Sequence, residues 1–243
     1  SSHHISFLFI LFLFVSVVSC STFVFLNSVS SYSNMMKADV VRSNTPMYKI
    51  VPRENPFTDV NVTEDYSIAV LELYNQGILD GYSDGTYGPD NSVNRAEFAK
   101  ILAESANIDY TIYDSNSLSN CFYDVKNLDE HWFSPSVCAL KENGVVKGYT
   151  DGNYGPSRNI TMAEAYKIVL EVFNFYIPEN TEINASPYTD VNIDDWFFGV
   201  ANAVESYDLN IASDKSKLYP NQDISRAGIA VLIYTAMDRK DLL

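Results

Sequence analysis

The sequence predicts a mainly α-helical protein built from three tandem helix-loop-helix repeats. The first observation is a triplicated register, in which the aromatic residues Tyr66, Phe133 and Phe197 begin equivalent segments. The second is that an apolar stripe, a loop and a helix N-terminus follow each of them in the same order. Repetition at a near-constant period is typical of proteins whose repeats pack on their neighbours. A unit of ~60 residues buries too little surface to be secure alone, so we expect the repeats to pack together.

The predicted domain boundaries follow from this register and from changes in composition. The repeats cover residues 56–113, 114–178 and 179–243. Residues 34–55 contain Pro46 and Pro52 without a clear hydrophobic period, so a linker or extended arm is predicted. Residues 1–33 are predicted to be a signal peptide or membrane anchor, because the run Ile5–Val18 is apolar except for Ser6 and Ser16. Lipidation of Cys20 is a third alternative, and all three export the rest of the chain.

The acidic composition limits the classes of partner. A formal net charge of −15 and a pI near 4.4 argue against nucleic acid, because phosphate binding requires clustered Lys and Arg and the sequence contains no basic run. An anionic membrane surface is disfavoured for the same reason. The only predicted membrane contact is therefore through the N-terminal segment.

The first helix of each repeat is predicted from an amphipathic stripe. In repeat one, Tyr66, Ala69, Val70 and Leu73 stand at i, i+3, i+4 and i+7, on one helix face. The other two repeats have apolar residues at similar spacing. The residues predicted to end these helices in the left-handed region are Gly77, Gly144 and Asp208.

A loop with the pattern G-Y-x-D-G-x-Y-G-P follows the first helix in repeats one and two. Its Asp-Gly pairs are typical turn formers. Asp80, Asp84 and Gly85 resemble the start of a calcium-binding loop, but Tyr82 takes the third position, where a ligand is required. Lys147 also replaces Asp80 in repeat two. We therefore predict no metal and no cofactor.

Each repeat opens with an aromatic-x-Asp-Val segment. The aromatic ring is predicted to be buried in the core. The aspartate is predicted to act locally, as a cap for the turn or helix that begins there. The aspartates concerned are Asp59, Asp124 and Asp190.

The second helix of each repeat is predicted from its N-cap. Asn94, Thr161 and Ser225 are favourable N-cap residues, and Glu97 and Glu164 stand three residues after the first two. This spacing predicts a reciprocal capping box in repeats one and two, with each cap stabilising its helix by ~1 kcal/mol.

Two arginines are not explained by capping. Arg95 and Arg226 both stand directly after the N-cap, at repeat-equivalent positions. A cation near a helix N-terminus opposes the helix dipole, so local electrostatics disfavour this placement. Its recurrence indicates that the guanidinium groups hold an anion.

Taken in order, the motifs F-x-D-V, aromatic, G-Y-x-D-G-x-Y-x-P and T-R-A-E resemble the S-layer homology family, over residues 57 to about 238. The resemblance implies a pseudo-threefold helical assembly in which the N-terminal helices form a central three-helix bundle. It also implies anchoring to the cell envelope through a secondary cell-wall polysaccharide, often carrying a pyruvate ketal, bound in clefts between repeats. The alternative partner is another surface-layer protein.

In this family the T-R-A-E arginine contacts the acidic sugar, and this role transfers to Arg95 and Arg226. Aromatic rings stack on apolar sugar faces, although core packing is the favoured interpretation for the two tryptophans. The remaining candidate glycan contacts are Tyr82, Asp84, Gly85, Tyr87, Tyr154, Trp132 and Trp196.

The sequence departs from the family pattern in ways that predict unequal clefts. Met162 replaces the arginine in repeat two, and Gly228 replaces the glutamate in repeat three. Asp65 stands in repeat one where the other repeats have tryptophan. We therefore expect at most two clefts able to bind glycan.

Cys121 and Cys138, 17 residues apart, are interpreted as a disulfide, with two buried free thiols as the alternative. A bridge requires an oxidising compartment, in agreement with export to the cell surface. Enzymatic function is not predicted. Glu97 and Glu164 are the candidate pair of glycosidase carboxylates, but capping accounts for both.

Overall fold

The computed structural model describes residues 39–41, 49–51, 55–112, 121–125, 131–180 and 184–241. The chain divides between Pro56 and Phe57 into two units. In the first unit, strands β1 (Asp39–Val41) and β2 (Lys49–Val51) pair antiparallel, with Val40 opposite Ile50. The segment 34–55, predicted to be a linker or extended arm, therefore contains a short β-ribbon.

Within the described residues the second unit is helical, with two helices from each repeat. The helices are α1 (Ser67–Asn75), α2 (Arg95–Ser105), α3 (Ser134–Glu142), α4 (Met162–Val172), α5 (Phe198–Ser206) and α6 (Arg226–Asp241). The mainly helical prediction is confirmed. Strands are confined, in the described part of the chain, to the ribbon of the first unit.

The first helices begin and end where the sequence predicts. In α1 the predicted stripe residues Ala69, Val70 and Leu73 are buried. The helix is followed by Gly77 at φ +74°, and Asp208 takes the same left-handed conformation after α5, at φ +54°. Glycine adopts this conformation without steric cost, and Asp tolerates it.

The second helices begin at the predicted N-caps. Asn94 Oδ1 accepts a hydrogen bond from Glu97 N at 2.9 Å, while the Glu97 carboxylate accepts one from Asn94 N. Thr161 and Glu164 form the same reciprocal pair. Ser225 Oγ accepts from the backbone N–H three residues on, without a carboxylate to return the bond.

Each first helix packs on the second helix of the preceding repeat. Helix α3 contacts α2, α5 contacts α4, and α1 closes the series by contacting α6. The second helices also contact one another, because α6 packs on both α2 and α4.

The extensive helix contacts of the described chain join first helices to second helices, and α6 to α2 and α4, while the central bundle of first helices stays a prediction. The second helices have apolar surface on several faces. Helix α2 buries Ala99 and Ala103 as well as Phe98, Ile101 and Leu102. Such a helix needs neighbours on more than one side.

Three backbone hydrogen bonds join the repeats in a cycle. Val93 N donates to Ile224 O, Ile224 N donates to Ile160 O, and Ile160 N donates to Val93 O, at 3.2, 3.1 and 3.0 Å. The three residues occupy equivalent positions just before each second helix and are buried. Equivalent groups joined head to tail around a closed cycle give the three repeats a pseudo-threefold relation.

The aspartates of the opening segments act over a long range and not as local caps. The Asp59 carboxylate accepts hydrogen bonds from the N–H groups of Tyr87 and Gly88, at 2.7 and 2.8 Å. Asp124 and Asp190 bind the equivalent loops of their own repeats in the same way. The prediction of local capping is therefore wrong, because each carboxylate satisfies two backbone donors 28 to 31 residues away.

Residues Cys121 and Cys138 form a disulfide, with their Cα atoms 5.5 Å apart. The bridge joins the opening segment of repeat two to α3. Its neighbour Phe122 is buried against Gly148, where an added Cβ would lie 2.5 Å from the ring. Proline occupies the equivalent position before the aromatic residue in the other repeats, at Pro56 and Pro187.

Candidate functional site

Arg95 and Arg226 are buried at the first positions of α2 and α6, with 4% and 7% of each residue exposed. Each reaches into the loop of the following repeat in the cycle. Arg95 Nε donates to Tyr154 O at 2.8 Å, and Arg226 Nε donates to Tyr87 O at 2.8 Å. Arg226 Nη2 also donates to Asp80 O at 2.7 Å. The arginines therefore link neighbouring repeats.

Two tyrosine rings lie against each guanidinium group. The Arg95 guanidinium carbon lies 4.6 Å from the ring centre of Tyr154 and 4.9 Å from that of Tyr149. Arg226 is placed in the same way between Tyr87 and Tyr82, at 4.7 and 4.9 Å. Cation–π attraction and the backbone hydrogen bonds fix the orientation of each guanidinium group.

The inner tyrosines, Tyr87 and Tyr154, do not fit the predicted role in sugar stacking. Both side chains are buried, and their hydroxyls donate to the backbone carbonyls of Arg226 and Arg95, at 2.8 and 2.9 Å. Burial raises the pKa of both phenols well above the ordinary value. Their rings support the arginines from within the core and offer no face to a ligand.

A cleft of about 490 Å³ opens beside Arg95, and we call it the Arg95 cleft. All three repeats contribute to it: repeat one supplies the arginine, repeat two supplies most of the wall and repeat three supplies Trp196. Its lining residues are Arg95, Val145, Val146, Lys147, Gly148, Tyr149, Thr150, Glu164, Lys167, Ile168, Glu171 and Trp196.

A smaller cleft of about 130 Å³ opens beside Arg226, and we call it the Arg226 cleft. Its parts are equivalent to those of the Arg95 cleft, but each part comes from the preceding repeat in the cycle: repeat three supplies the arginine, repeat one the wall and repeat two the tryptophan. Trp132, Glu97 and Lys100 take the places of Trp196, Glu164 and Lys167. Its lining residues are Ile78, Asp80, Glu97, Lys100, Ile101, Trp132 and Arg226.

Both tryptophans are exposed at the edges of these clefts. Trp132 is 61% exposed and Trp196 is 59% exposed, so the favoured prediction of core packing is wrong. Each packs one edge against the following phenylalanine, at ring-centre distances of 5.6 and 5.3 Å. This contact fixes the indole and leaves its surface open to solvent. Lys167 Nζ lies 5.6 Å from the ring of Trp196.

The third equivalent position has a cleft of different chemistry, which we call the Met162 cleft. Its volume is about 1240 Å³. Met162 lies where the arginine stands in the other clefts, and Asp65 lies where the tryptophan stands. Gly228 replaces the capping glutamate, and Val231 replaces the lysine of the second helix. This cleft lacks the arginine, the tryptophan and the second-helix lysine that the other two share, and its cations are Lys215 and Arg239.

An internal carboxylate lies close to one of the two arginines. Arg95 Nη1 is 3.5 Å from Glu164 Oε1, and Glu164 also accepts from the Tyr149 hydroxyl at 3.0 Å. Arg226 donates hydrogen bonds to backbone carbonyls, and within the described residues it forms no ion pair. A guanidinium has five N–H donors, so these contacts leave donors of both arginines for a ligand.

Asp84 and Gly85 lie in an exposed turn that is not part of either cleft wall. Asp84 Oδ1 accepts from the hydroxyl and the N–H of Thr86, at 2.6 and 3.0 Å. The Thr86 hydroxyl is the main cause of a lowered pKa for the Asp84 carboxyl. The turn shapes the loop, whereas Tyr82, 40% exposed, lies beside Arg226.

Sequence reasoning identified Tyr82 beside Arg226 but missed the lysines of both clefts and Tyr149, the outer tyrosine of the Arg95 cleft. Lys100 and Lys167 stand five residues after each arginine-equivalent position, on α2 and α4, and Lys147 stands two residues before Tyr149. An alignment of the repeats would have shown that Lys100 and Lys167 occupy the same position in the two repeats that have a capping glutamate. It would also have shown that repeat three has Val231 instead.

Residues 1–33, including Cys20, lie outside the described residues, so the predicted signal peptide, anchor and lipidation stay predictions. Of the helices in the described ranges, none combines the length and apolar character needed to cross a bilayer.

Comparison with known families gives a match to the S-layer homology domain over residues 56–99 and 122–165. These segments lie in repeats one and two and end within α2 and α4. The third repeat is outside the match, and its equivalence rests on the backbone cycle and on the cleft positions described above.

Several similar proteins are surface proteins of bacteria. The "S-layer protein EA1" of Bacillus anthracis is 30% identical over 177 residues, which are 73% of this chain and 19% of that protein. The "Surface-layer 125 kDa protein" of Lysinibacillus sphaericus is 27% identical over 71% of this chain and 14% of its own length. An "Exoglucanase XynX" of Acetivibrio thermocellus is 29% identical over 80% of this chain and 17% of its own length. The chain thus spans less than a fifth of the length of each.

Proposed function

Because the chain belongs to the S-layer homology family, we propose that residues 57–243 anchor an exported protein to the bacterial cell envelope. The ligand is a secondary cell-wall polysaccharide with acid groups, such as pyruvate ketals, bound without a covalent link in the Arg95 and Arg226 clefts. The protein acts at the cell surface, in the wall or S-layer, and the N-terminal segment is its only membrane contact.

One observation carries this proposal: the two buried arginines stand at equivalent corners of the assembly, each beside an exposed tryptophan and a lysine. A buried guanidinium is costly unless hydrogen bonds hold it, and here backbone carbonyls do so. Its remaining donors match the two oxygens of a carboxylate. The exposed indole supplies an apolar surface for the sugar ring, so each cleft has the two chemistries that an acidic sugar requires.

The acidic net charge of the chain does not prevent this binding. Repulsion between two acidic partners is largely screened beyond ~8 Å at physiological ionic strength. At contact, a hydrogen bond between a guanidinium and a carboxylate contributes ~1.5 to 3 kcal/mol. Local recognition therefore outweighs the long-range repulsion.

Two clefts on one rigid body can bind two segments of the same polymer. The second binding event then occurs at an effective concentration near ~1 mM, which turns weak individual sites into durable attachment. Loss of one arginine is therefore expected to reduce attachment strongly, and loss of both to abolish it.

The alternative function is assembly with other surface-layer proteins, which is favoured by the names of two relatives. A wall-active glycosidase is the least favoured function. Glu97 and Glu164, the candidate carboxylates, lie in different clefts and each holds the N-cap of its own helix.

The test is co-sedimentation of the purified chain with isolated cell-wall polysaccharide, free of surface protein. Arg95→Met and Arg226→Met copy the natural residue at the third position, Met162. We expect each variant to lower the bound fraction at least about tenfold by removing one of two linked sites, and the double variant to lose binding.

Arg239→Met is the matched control, because Arg239 lines the Met162 cleft. It should bind polysaccharide as the starting protein does. Undiminished binding by the double arginine variant would refute the glycan-anchoring function. Co-sedimentation with purified surface-layer protein alone would support the alternative, and released sugars would support the glycosidase.

A further inference from the structure

The Arg95 and Arg226 clefts share one plan but differ in charge at one edge. Lys147 lines the Arg95 cleft, and Asp80 occupies the equivalent position in the Arg226 cleft. The charged residues of the Arg95 cleft are Arg95, Lys147, Lys167, Glu164 and Glu171. Those of the Arg226 cleft are Arg226, Lys100, Asp80 and Glu97. One cleft therefore has an excess of cations, and the other has equal numbers of both signs.

The two edge residues also affect the lysine of the neighbouring second helix differently. In the Arg226 cleft, Asp80 Oδ2 lies 3.8 Å from Lys100 Nζ, so the carboxylate offsets the ammonium charge. In the Arg95 cleft, Lys167 Nζ lies 4.0 Å from Glu171. Burial raises the pKa of Glu171, and the charges of Lys167 and Lys147 oppose this rise, so two ammonium groups lie near one carboxylate. A positive charge remains there for a ligand.

Building on the proposed function, we propose that the Arg95 cleft prefers glycan segments with two acid groups, whereas the Arg226 cleft accepts segments with one. Lys147 is the residue that sets this preference. The first acid group binds the Arg95 guanidinium, and the second binds between Lys147 and Lys167. In the Arg226 cleft a second acid group meets the Asp80 carboxylate and is repelled.

The sizes of the clefts agree with this difference. The Arg95 cleft has a volume of about 490 Å³, against about 130 Å³ for the Arg226 cleft. The larger cleft has room for a longer glycan segment, and a second acid group requires this length. Thr150 and the outer ring of Tyr149 extend its wall beyond the arginine.

The two tryptophans allow each cleft to be followed separately. The chain has only Trp132 and Trp196, and one lies in each cleft. In Trp132→Phe the fluorescence reports the Arg95 cleft, and in Trp196→Phe it reports the Arg226 cleft. Suitable probes are digalacturonate and its monomethyl ester, which match in size and differ by one negative charge.

We expect the Arg95 cleft, followed in Trp132→Phe, to bind digalacturonate at least about fivefold more tightly than the ester, because one additional ion pair is worth ~1 kcal/mol. The Arg226 cleft, followed in Trp196→Phe, should bind digalacturonate less tightly than the ester, because Asp80 repels the second acid group. Adding Lys147→Asp should remove the preference in the Arg95 cleft. Adding Asp80→Lys should create it in the Arg226 cleft.

Equal preferences in the two clefts, or a preference that survives Lys147→Asp, would overturn the proposal. So would the absence of a response to either probe in a protein that still co-sediments with wall polysaccharide. If the proposed function itself were wrong, the result would differ, because the starting protein would then not co-sediment with wall polysaccharide. Lys147 and Asp80 are exposed, so we expect both charge variants to stay folded, and circular dichroism checks this directly.

Discussion

The Arg95 cleft and the Met162 cleft have the same backbone arrangement but different side chains at the equivalent positions. Arg95 N donates to Arg158 O at 2.8 Å, and Met162 N donates to Gln222 O at the same distance. The loop beside each cleft is held by an aspartate of its own repeat, Asp124 or Asp190. The main chain therefore holds the repeats together whether or not an arginine is present. Fold and anion site can vary independently in this molecule.

The disulfide has the largest expected effect, because it lies in repeat two, which forms most of the wall of the Arg95 cleft and supplies a single residue, Trp132, to the Arg226 cleft. In Cys121→Ala/Cys138→Ala we expect the free energy of unfolding to fall by about 3 kcal/mol, through the greater freedom of the unfolded chain. Urea denaturation measures this change. Ligand titration followed by Trp196 should weaken more than titration followed by Trp132.

Reduction of the starting protein with dithiothreitol should reproduce the effect of the double variant. A loss of stability without a difference between the two tryptophans would show that the bridge supports the whole assembly and not one cleft.

A smaller effect is expected from the aspartates that hold the loops. Asp124→Ala removes the acceptor of the Tyr154 and Gly155 N–H groups, and we expect a loss of about 2 kcal/mol in unfolding free energy. Asp190→Ala should cost a similar amount, since it binds two N–H groups in the same way. Only Asp124→Ala should also weaken the co-sedimentation with polysaccharide. Equal binding losses in both variants would contradict the separate roles of the two clefts.

The smallest effect concerns Glu171, which lines the Arg95 cleft and is replaced by Thr235 in the Met162 cleft. Burial raises the pKa of Glu171, and Lys167 and Lys147 oppose this rise only in part. With its folded pKa above the unfolded value, the protonated form favours folding. The stabilisation is present below the unfolded pKa and is lost as the pH rises through the folded pKa.

We therefore expect Glu171→Gln to raise the free energy of unfolding at pH 7 by about 0.3 kcal/mol, a small value because the side chain is partly exposed to solvent. Near pH 4, where the wild-type carboxyl is mostly protonated, the variant and the starting protein should agree. Urea denaturation at the two pH values measures this, with Thr235→Ser as the control without a titrating group. A stabilisation that is the same at both pH values would assign the effect to packing.

Local sequence patterns predicted the elements but not their long-range partners. The capping pair of Asn94 and Glu97 is contained in one helical turn, so its spacing alone is sufficient. The Asp124 carboxylate binds N–H groups 30 and 31 residues away, and no local pattern distinguishes this role from a turn cap. Local capping was therefore the wrong interpretation, although the residue was correctly singled out.

The aromatic residues show the same limit. Tyr154 and Trp196 were both candidate glycan contacts, and the sequence favoured burial for Trp196. The structure instead buries Tyr154 between its own repeat and Arg95 of the preceding one, and it exposes Trp196 at a cleft edge. The exposure of a ring depends on how the repeats pack on one another. The spacing of apolar residues within one repeat therefore does not predict it.

By itself, the sequence determined the helical class, the triple register and the capped helix starts, and it favoured the pairing of Cys121 with Cys138 that the structure shows. Each of these depends on residues close together in the chain or on the direct comparison of repeats. Only the tertiary structure decided which repeat supplies each wall of a cleft, and hence that Arg95 meets Lys147 and Trp196. The physical reason is that the cyclic packing brings together side chains from three repeats, and their combined charge exists only once the cycle has closed.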